Sequence, residues 1–263
     1  MADPTQPIPD LRQRVHDALT AWYSPTAGAS PLAGLAVVQQ AQAAGDLPVH
    51  RAANQVLAAA LDKLAEVAPD DARLLRRRFV DEIPVYSVAR EFSLAEATVY
   101  THQRRAVDAL AALLAGMEQQ ARQEHIDRAE ARLPWLDSRH VFGLQPLLER
   151  LAPLLTGPGH SSLVMLTGIG GVGKTTAARH ALEQIVRGAS AAVEVGWVSA
   201  QQQIFRPGSG IRPVHAPALT AGDLLLALAV QLLPAGAAFS SQRSLSALQA
   251  LLRQVPHLVV IDN

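Results

Sequence analysis

One short stretch of the sequence combines glycines with a lysine and two threonines in a spacing that suits phosphate chemistry. The stretch is Gly168, Ile169, Gly170, Gly171, Val172, Gly173, Lys174, Thr175 and Thr176. It fits the pattern Gly-x-x-x-x-Gly-Lys-Thr, in which glycines let backbone N–H groups come close to a polyphosphate. We predict that all these residues bind ATP or ADP, that Lys174 reaches the β- and γ-phosphates in a catalytic role, and that the Thr175 hydroxyl holds Mg²⁺.

Lysine is rare in this chain, which makes its presence in the loop informative. The sequence holds two lysines, Lys63 and Lys174, and 21 arginines. A compact ammonium therefore stands where the phosphate pattern requires one, although arginine is the usual base of this chain. A glycine-rich turn that binds no ligand is the alternative.

The segments on either side of the loop must position it, and their patterns predict a strand and a helix. Leu163–Leu166 is a short apolar run, as expected of a buried parallel strand. The segment from Thr175 to Val186 is rich in alanine and has helical spacing. A helix that begins near Lys174 would direct the positive end of its dipole at the phosphates.

A second apolar run lies near the end of the sequence and is followed by an acid. Leu258–Ile261 predicts a strand, and Asp262 comes directly after it. In phosphate-loop sites such an aspartate holds Mg²⁺ through water, so we predict that Asp262 lies opposite Thr175 as a metal-binding and catalytic residue. An ordinary buried strand with a terminal aspartate is the alternative.

The remaining patterns in this half predict alternating strands and helices. Ala191–Ser199 is a candidate strand, while Leu224–Leu233 and Leu245–Arg253 are candidate helices. The predicted fold class is multidomain, with an α/β P-loop NTPase domain that contains a parallel sheet. We expect this domain to be incomplete at Asn263, with the chain being either the N-terminal part of a longer protein or a truncated reading frame.

The first half of the sequence predicts an all-α helical module. Apolar residues recur at helical spacing from Asp10 to Tyr23, from Ser30 to about Gly45, and from Pro48 to about Val67. Asp10 is predicted to cap the first helix. Pro84–Phe92 then predicts a short helix, and a tight turn separates it from a longer helix that begins at Ala95.

These last two helices have the order expected of a helix-turn-helix. Through Asp71–Phe79, Ser87–Phe92, Thr98-Val99 and Arg104–Ala106, residues 69–115 resemble region four of bacterial sigma factors and its relatives. The resemblance implies double-stranded DNA or RNA polymerase as a partner. The residues that it would direct at a major groove are Glu96, Ala97, Thr98, Tyr100, Thr101, Gln103 and Arg104.

The charge balance leaves the partner of this module open. Residues 61–115 contain eight basic and nine acidic side chains. The net charge of this segment therefore does not favour binding to the phosphates of DNA. The arginines can equally form a solvated helix face. Contact with DNA and contact with another protein are therefore both kept as predictions.

The second half of the chain resembles a larger family. Phe142-Gly143, Gly168–Thr176, Gly196–Ser199 and Leu258–Asp262 resemble, in order and spacing, the STAND ATPases, which include the NB-ARC proteins. The resemblance covers about residues 140–263. It implies a signal-transducing switch in regulation or defence, driven by ADP/ATP exchange and by homo-oligomerisation through the NTPase domain.

Two residues depart from that family. Leu144 stands where the family usually has arginine, and Asn263 stands where a second acid often follows the aspartate. We therefore expect little hydrolysis from this chain alone, even if the parent protein is an ATPase. An AAA+-type remodelling or replication ATPase is one alternative, and a transcription factor that binds nucleotide without turnover is another.

Composition sets the remaining expectations. The predicted divisions are a helical module at 1–118, a charged helical linker at 119–139 and the NTPase domain at 140–263. The chain has no cysteine and no net charge, and no signal peptide is visible, so we predict a cytoplasmic protein with no membrane partner. Its longest apolar segment is too short to span a bilayer. His125 and His140 lack ligand spacing and are predicted to be surface residues.

Overall fold

The structure is a computed structural model of the chain. It describes residues 10–23, 30–45, 47–134, 143–156, 162–188, 193–206, 210–213, 220–233, 241–254 and 256–263. The chain divides into two compact units, Met1–Glu124 and His125–Asn263. No helix within the described ranges is both long enough and apolar enough to cross a membrane.

The first unit is built from helices. They are α1 (Leu11–Thr20), α2 (Ala36–Gly45), α3 (Val49–Val67), α4 (Pro69–Leu75), a π-helical turn (Arg76–Val80), α5 (Val85–Glu91) and α6 (Glu96–Arg132). The residues of α6 after Glu124 belong to the second unit. The cap predicted at Asp10 is wrong, because Asp10 has a positive φ of 55° and its side chain makes no capping hydrogen bond.

The core of the first unit follows from the helical spacing of its leucines. Leu57, Leu61 and Leu64 share one face of α3, and at most 1% of each side chain is exposed. They pack in one cluster with apolar residues from α1, α4, α5 and α6, including Leu75 and Leu110. Full burial of such a side chain stabilises a fold by roughly 1.5–3 kcal/mol, so this unit has a core of its own.

The second unit mixes helices with short strands. Its further elements are α7 (Gln145–Thr156), α8 (Lys174–Gly188), β1 (Glu194–Ser199), β2 (Gln203–Arg206), β3 (Gly210–Pro213), α9 (Ala221–Leu232), α10 (Ser241–Gln254) and β4 (His257–Asp262). β1 pairs in parallel with β4, from Glu194 opposite His257 to Ser199 opposite Asp262. β2 and β3 form a separate antiparallel hairpin that the sequence patterns did not predict.

Helices cover both faces of β1. Trp197 on one face packs with Leu182 of α8 and Ala129 of α6, while Val198 on the other face packs with Leu228 of α9. Gly196 lets α9 come close, since a Cβ at this position would lie 2.7 Å from the Leu228 Cδ2 atom. The strand that leads to the candidate site is therefore fixed from two sides.

The predicted fold class is wrong for the second half of the chain. The only parallel sheet among the described residues has two strands, β1 and β4, and no complete α/β P-loop NTPase fold is evident. Leu163–Leu166 forms no strand, and Leu163 and Met165 are 81% and 76% exposed. Val164 and Leu166 instead pack beside Leu148 and Leu151 of α7. A run of apolar residues indicates burial, but it does not supply a hydrogen-bonding partner.

Some predictions fall outside the described residues. They concern Phe142 in the family resemblance, the surface position of His140, and the start of the strand predicted at Ala191. The described part of that strand begins at Glu194.

Candidate nucleotide-binding site

The glycine-rich loop has a backbone that only glycine adopts without strain. Gly171 and Gly173 have φ angles of +77° and +93°. The Val172 N–H faces the Ile169 carbonyl at 3.4 Å, and the side chains of these two residues are exposed. A Cβ at Gly168 would lie 3.1 Å from the Val172 Cγ1 atom. The glycines thus permit a tight loop in which no glycine position carries a side chain that would clash with the loop.

The lysine and threonines of the motif lie in the first turn of α8. Lys174 begins the helix, and its Nζ donates to the carbonyl oxygens of Gly168 and Ile169 at 3.0 Å each. Thr175 and Thr176 follow and are half-buried. The ammonium is therefore held beside the loop and the N-terminus of α8, where the helix dipole also favours an anion.

The structure brings Thr175 and Asp262 together although 87 positions separate them. The Thr175 Oγ1 donates to the Asp262 Oδ1 at 2.9 Å. Asp262 is the last residue of β4, and its carbonyl oxygen accepts from the Ala200 N–H at 2.7 Å. Parallel pairing places the carboxyl ends of β1 and β4 at one edge of the sheet, so Asp262 is fixed in register beside the start of α8.

The oxygen atoms at this point fit Mg²⁺ better than a softer metal. A hydroxyl and a carboxylate are hard donors, which Mg²⁺ prefers, and Mg²⁺ commonly binds through one or two protein groups together with phosphate oxygens and waters. Within the described ranges, no group of three His, Cys, Asp or Glu side chains gathers at any place. Thr175 and Asp262 would hold Mg²⁺ only together with a phosphate ligand.

Two glutamines that motif reasoning missed hold the strands near this site. The Gln201 Nε2 donates to the Asp262 Oδ2 at 3.3 Å. Gln231 of α9 bonds both backbone groups of Trp197 in β1: its Oε1 accepts from the N–H at 3.0 Å, and its Nε2 donates to the carbonyl at 2.7 Å. The sequence offered one signal for Gln231, because an amide is unusual within the apolar sequence of α9. No sequence feature indicated that Gln201 reaches Asp262.

The opposite end of β1 carries a partly buried ion cluster. Glu194 pairs with Arg132 through its Oε2, and its Oε1 lies 3.6 Å from the Nδ1 of His125. His125 and Arg132 lower the pKa of Glu194 from 4.5 to about 2. Because 3.6 Å is long for a hydrogen bond, we assign the stronger effect to the guanidinium. His125 is 7% exposed, so its predicted surface position is wrong.

Five of the seven residues predicted to contact DNA are exposed, including Glu96 and Ala97 at the start of α6. Tyr100, Thr101 and Arg104 of α6 are exposed, and Thr98 is half-buried. Gln103 is 9% exposed, and its Oε1 accepts from the Nε of Arg78 at 3.4 Å. Gln103 therefore faces inward from α6 rather than toward a ligand.

Most arginines of this region are paired with acids of the same unit. Arg73 and Arg77 both bond Glu91 and lower its pKa. Arg105 pairs with Asp71 at 2.9 Å, and Arg76 pairs with Asp62. Among the described residues 69–115, Arg90 and Arg104 have no ion pair or hydrogen bond through their side chains. The charge available for a phosphate backbone is therefore small.

The two positions that depart from the STAND pattern have different surroundings. Leu144 packs beside Leu148, Leu151 and Ala181 as part of a small apolar cluster. Asn263 follows Asp262 and is exposed. Comparison of the chain with protein-family models, with curated proteins and with solved structures gave no match.

Proposed function

We propose that this chain binds ATP or ADP with Mg²⁺ at the loop Gly168–Thr176 and at Asp262, and that it acts as a nucleotide-controlled switch. The hydrogen bond between Thr175 and Asp262 carries this proposal. Two motifs that are separated by 87 positions in the sequence meet at 2.9 Å, as expected of a nucleotide site. A glycine turn and a strand without a shared function would not be expected to bring a hydroxyl and a carboxylate into contact.

The chemistry of such a site is local. It uses the N–H groups of the loop, the charge of Lys174, the N-terminus of α8 and the ends of β1 and β4. Bound Mg²⁺ would neutralise phosphate charge beside Thr175 and Asp262. A pair of parallel strands is enough to fix these groups, so nucleotide binding does not depend on the larger sheet that the sequence patterns predicted.

Binding fits these residues better than rapid hydrolysis. Hydrolysis needs a positioned water and added stabilisation of charge on the γ-phosphate. Asn263 is a neutral amide and cannot accept a proton as a carboxylate can. The resemblance to signal-transducing ATPases implies a switch in which the exchange of ADP for ATP is the signal.

The ion pairs of the first unit favour a protein partner over DNA for the surface around α5 and the start of α6. Four arginines are bound to acids of the same unit, and Gln103 faces inward. Exposed Tyr86 and Tyr100 have the amphipathic character that protein interfaces favour. This partner would connect the switch to its output.

Calorimetric titration with ADP and Mg²⁺ tests the nucleotide site. Lys174→Ala removes a charge-assisted contact worth about 2–3 kcal/mol, so the affinity should fall about 30- to 150-fold. Lys63→Ala is the matched control, because it removes the other lysine, which is exposed on α3. Equal affinity of the Lys174 variant and the control would contradict the proposal.

A further inference from the structure

The carboxylate of Asp262 has a different partner on each of its oxygens. Its Oδ1 accepts from the Thr175 hydroxyl at 2.9 Å, and its Oδ2 accepts from the Gln201 Nε2 at 3.3 Å. An ionised carboxylate only accepts hydrogen bonds, so the NH₂ end of the Gln201 amide must face it. Both sides of the carboxylate are therefore held by the chain.

The backbone around Gln201 is also fixed relative to Asp262. Gln201 lies two residues beyond the end of β1, and its N–H faces the Ser199 Oγ at 3.2 Å. Ser199 is the register partner of Asp262, and the Ala200 N–H donates to the Asp262 carbonyl at 2.7 Å. Gln201 thus reaches the carboxylate from a segment that the same strand pair holds in place.

We propose that Gln201 is a positioning residue for metal binding at the nucleotide site: its amide holds the Asp262 carboxylate so that the other oxygen stays directed at Thr175. This inference rests on the proposed function. A carboxylate that is free to rotate would have to be ordered again whenever Mg²⁺ binds, whereas one held by an amide is already oriented. Gln201 itself need not touch the nucleotide.

The role predicts an effect on magnesium that is separate from the effect on nucleotide. We define the magnesium coupling as the ratio of the ADP dissociation constants measured in EDTA and in Mg²⁺. Gln201→Met keeps the length of the side chain and removes its donor. A single hydrogen bond is worth about 0.5–1.5 kcal/mol, so the coupling should fall about two- to tenfold while affinity in EDTA stays the same.

Gln202→Met is the matched control, because Gln202 is the next residue in the chain and is exposed. Calorimetry of the wild type and both variants, in EDTA and in Mg²⁺, gives the required constants. The inference is supported if only the Gln201 variant loses coupling and its thermal unfolding midpoint matches that of the control.

Three results would overturn it, and they separate its failure from that of the proposed function. If the wild type binds no ADP in either condition, both fail. If the wild type binds with magnesium coupling and Gln201→Met has the same coupling, only the positioning role fails. If Gln201→Met loses affinity equally in EDTA and in Mg²⁺, Gln201 supports the loop or the nucleotide rather than the Asp262 carboxylate.

Discussion

Neutralising Glu194 tests how much the ion pair between Glu194 and Arg132 stabilises the second unit. Glu194 begins β1, pairs with Arg132 of α6 and lies near His125, and these neighbours lower its pKa from 4.5 to about 2. A pKa that is lower in the folded state stabilises the fold above the unfolded value and loses that effect as the pH falls. The stabilisation should be complete above about pH 4.5 and decline toward pH 2.

The magnitude follows from the difference between the folded and unfolded pKa of Glu194. Every tenfold change in a proton dissociation constant corresponds to about 1.4 kcal/mol, so charged Glu194 contributes about 3 kcal/mol to the stability of the second unit at pH 7. At pH 3 the contribution should be about 1 kcal/mol. Because 23% of the carboxylate side chain is exposed, solvent screening makes these figures upper limits. Glu194→Gln should therefore cost more at pH 7 than at pH 3.

Urea unfolding followed by Trp197 fluorescence measures this difference. Trp197 packs with Ala129 of α6, the helix that also carries Arg132, and a background of Trp22→Phe and Trp135→Phe leaves it as the single tryptophan. Glu130→Gln is the matched control, since Glu130 makes a more exposed pair with Arg187 that is expected to contribute at most about 1 kcal/mol. An effect of Glu194→Gln that is equal at pH 7 and pH 3, or no larger than that of the control, would refute the reasoning.

Two further predictions concern helix packing and the charge of the first unit. Gly196→Ala places a Cβ 2.7 Å from the Leu228 Cδ2 atom and should destabilise the second unit by about 1–3 kcal/mol in the same urea assay. Gly188→Ala is the control, because a Cβ at Gly188 meets open space and should not change the stability. Equal stability of the two variants would contradict the packing of α9 against β1. Duplex DNA should bind weakly, and a plot of the logarithm of the binding constant against the logarithm of the salt concentration should have a slope of about −2. The reason is that, among the described residues 69–115, only the arginines Arg90 and Arg104 are unpaired. Arg104→Ala should reduce the magnitude of the slope by about one. A slope steeper than about −5 would show that the paired arginines release their acids to bind DNA.

Much of the local structure was predictable because it depends on neighbouring residues. The leucine spacing of α3 and the alanine-rich sequence of α8 predict helices, and both are present close to the predicted bounds. The Gly-x-x-x-x-Gly-Lys-Thr spacing located the loop that ends at the first turn of α8. Helices depend mainly on the period of their own side chains, so the sequence alone carries this information.

Pairing was less predictable because it depends on distant groups. The run at Leu163–Leu166 is as apolar as β4, yet only β4 has a strand beside it among the described residues. His125 was predicted to be a surface residue because it lacks ligand spacing, but it is buried and lies 3.6 Å from Glu194, a neighbour that no local pattern reveals. Gln201 reaches Asp262 across 61 positions, which explains why the motif did not indicate it.

We propose that the glycine loop and the end of β4 form one nucleotide site. Amide hydrogen exchange of the chain, with and without ADP and Mg²⁺, tests it most directly. We predict slower exchange both in peptides that cover residues 168–176 and in peptides that cover residues 257–263, and no change at residues 49–67 of the first unit. Unchanged exchange at residues 257–263, despite bound ADP and Mg²⁺, would contradict the claim that Asp262 belongs to the site.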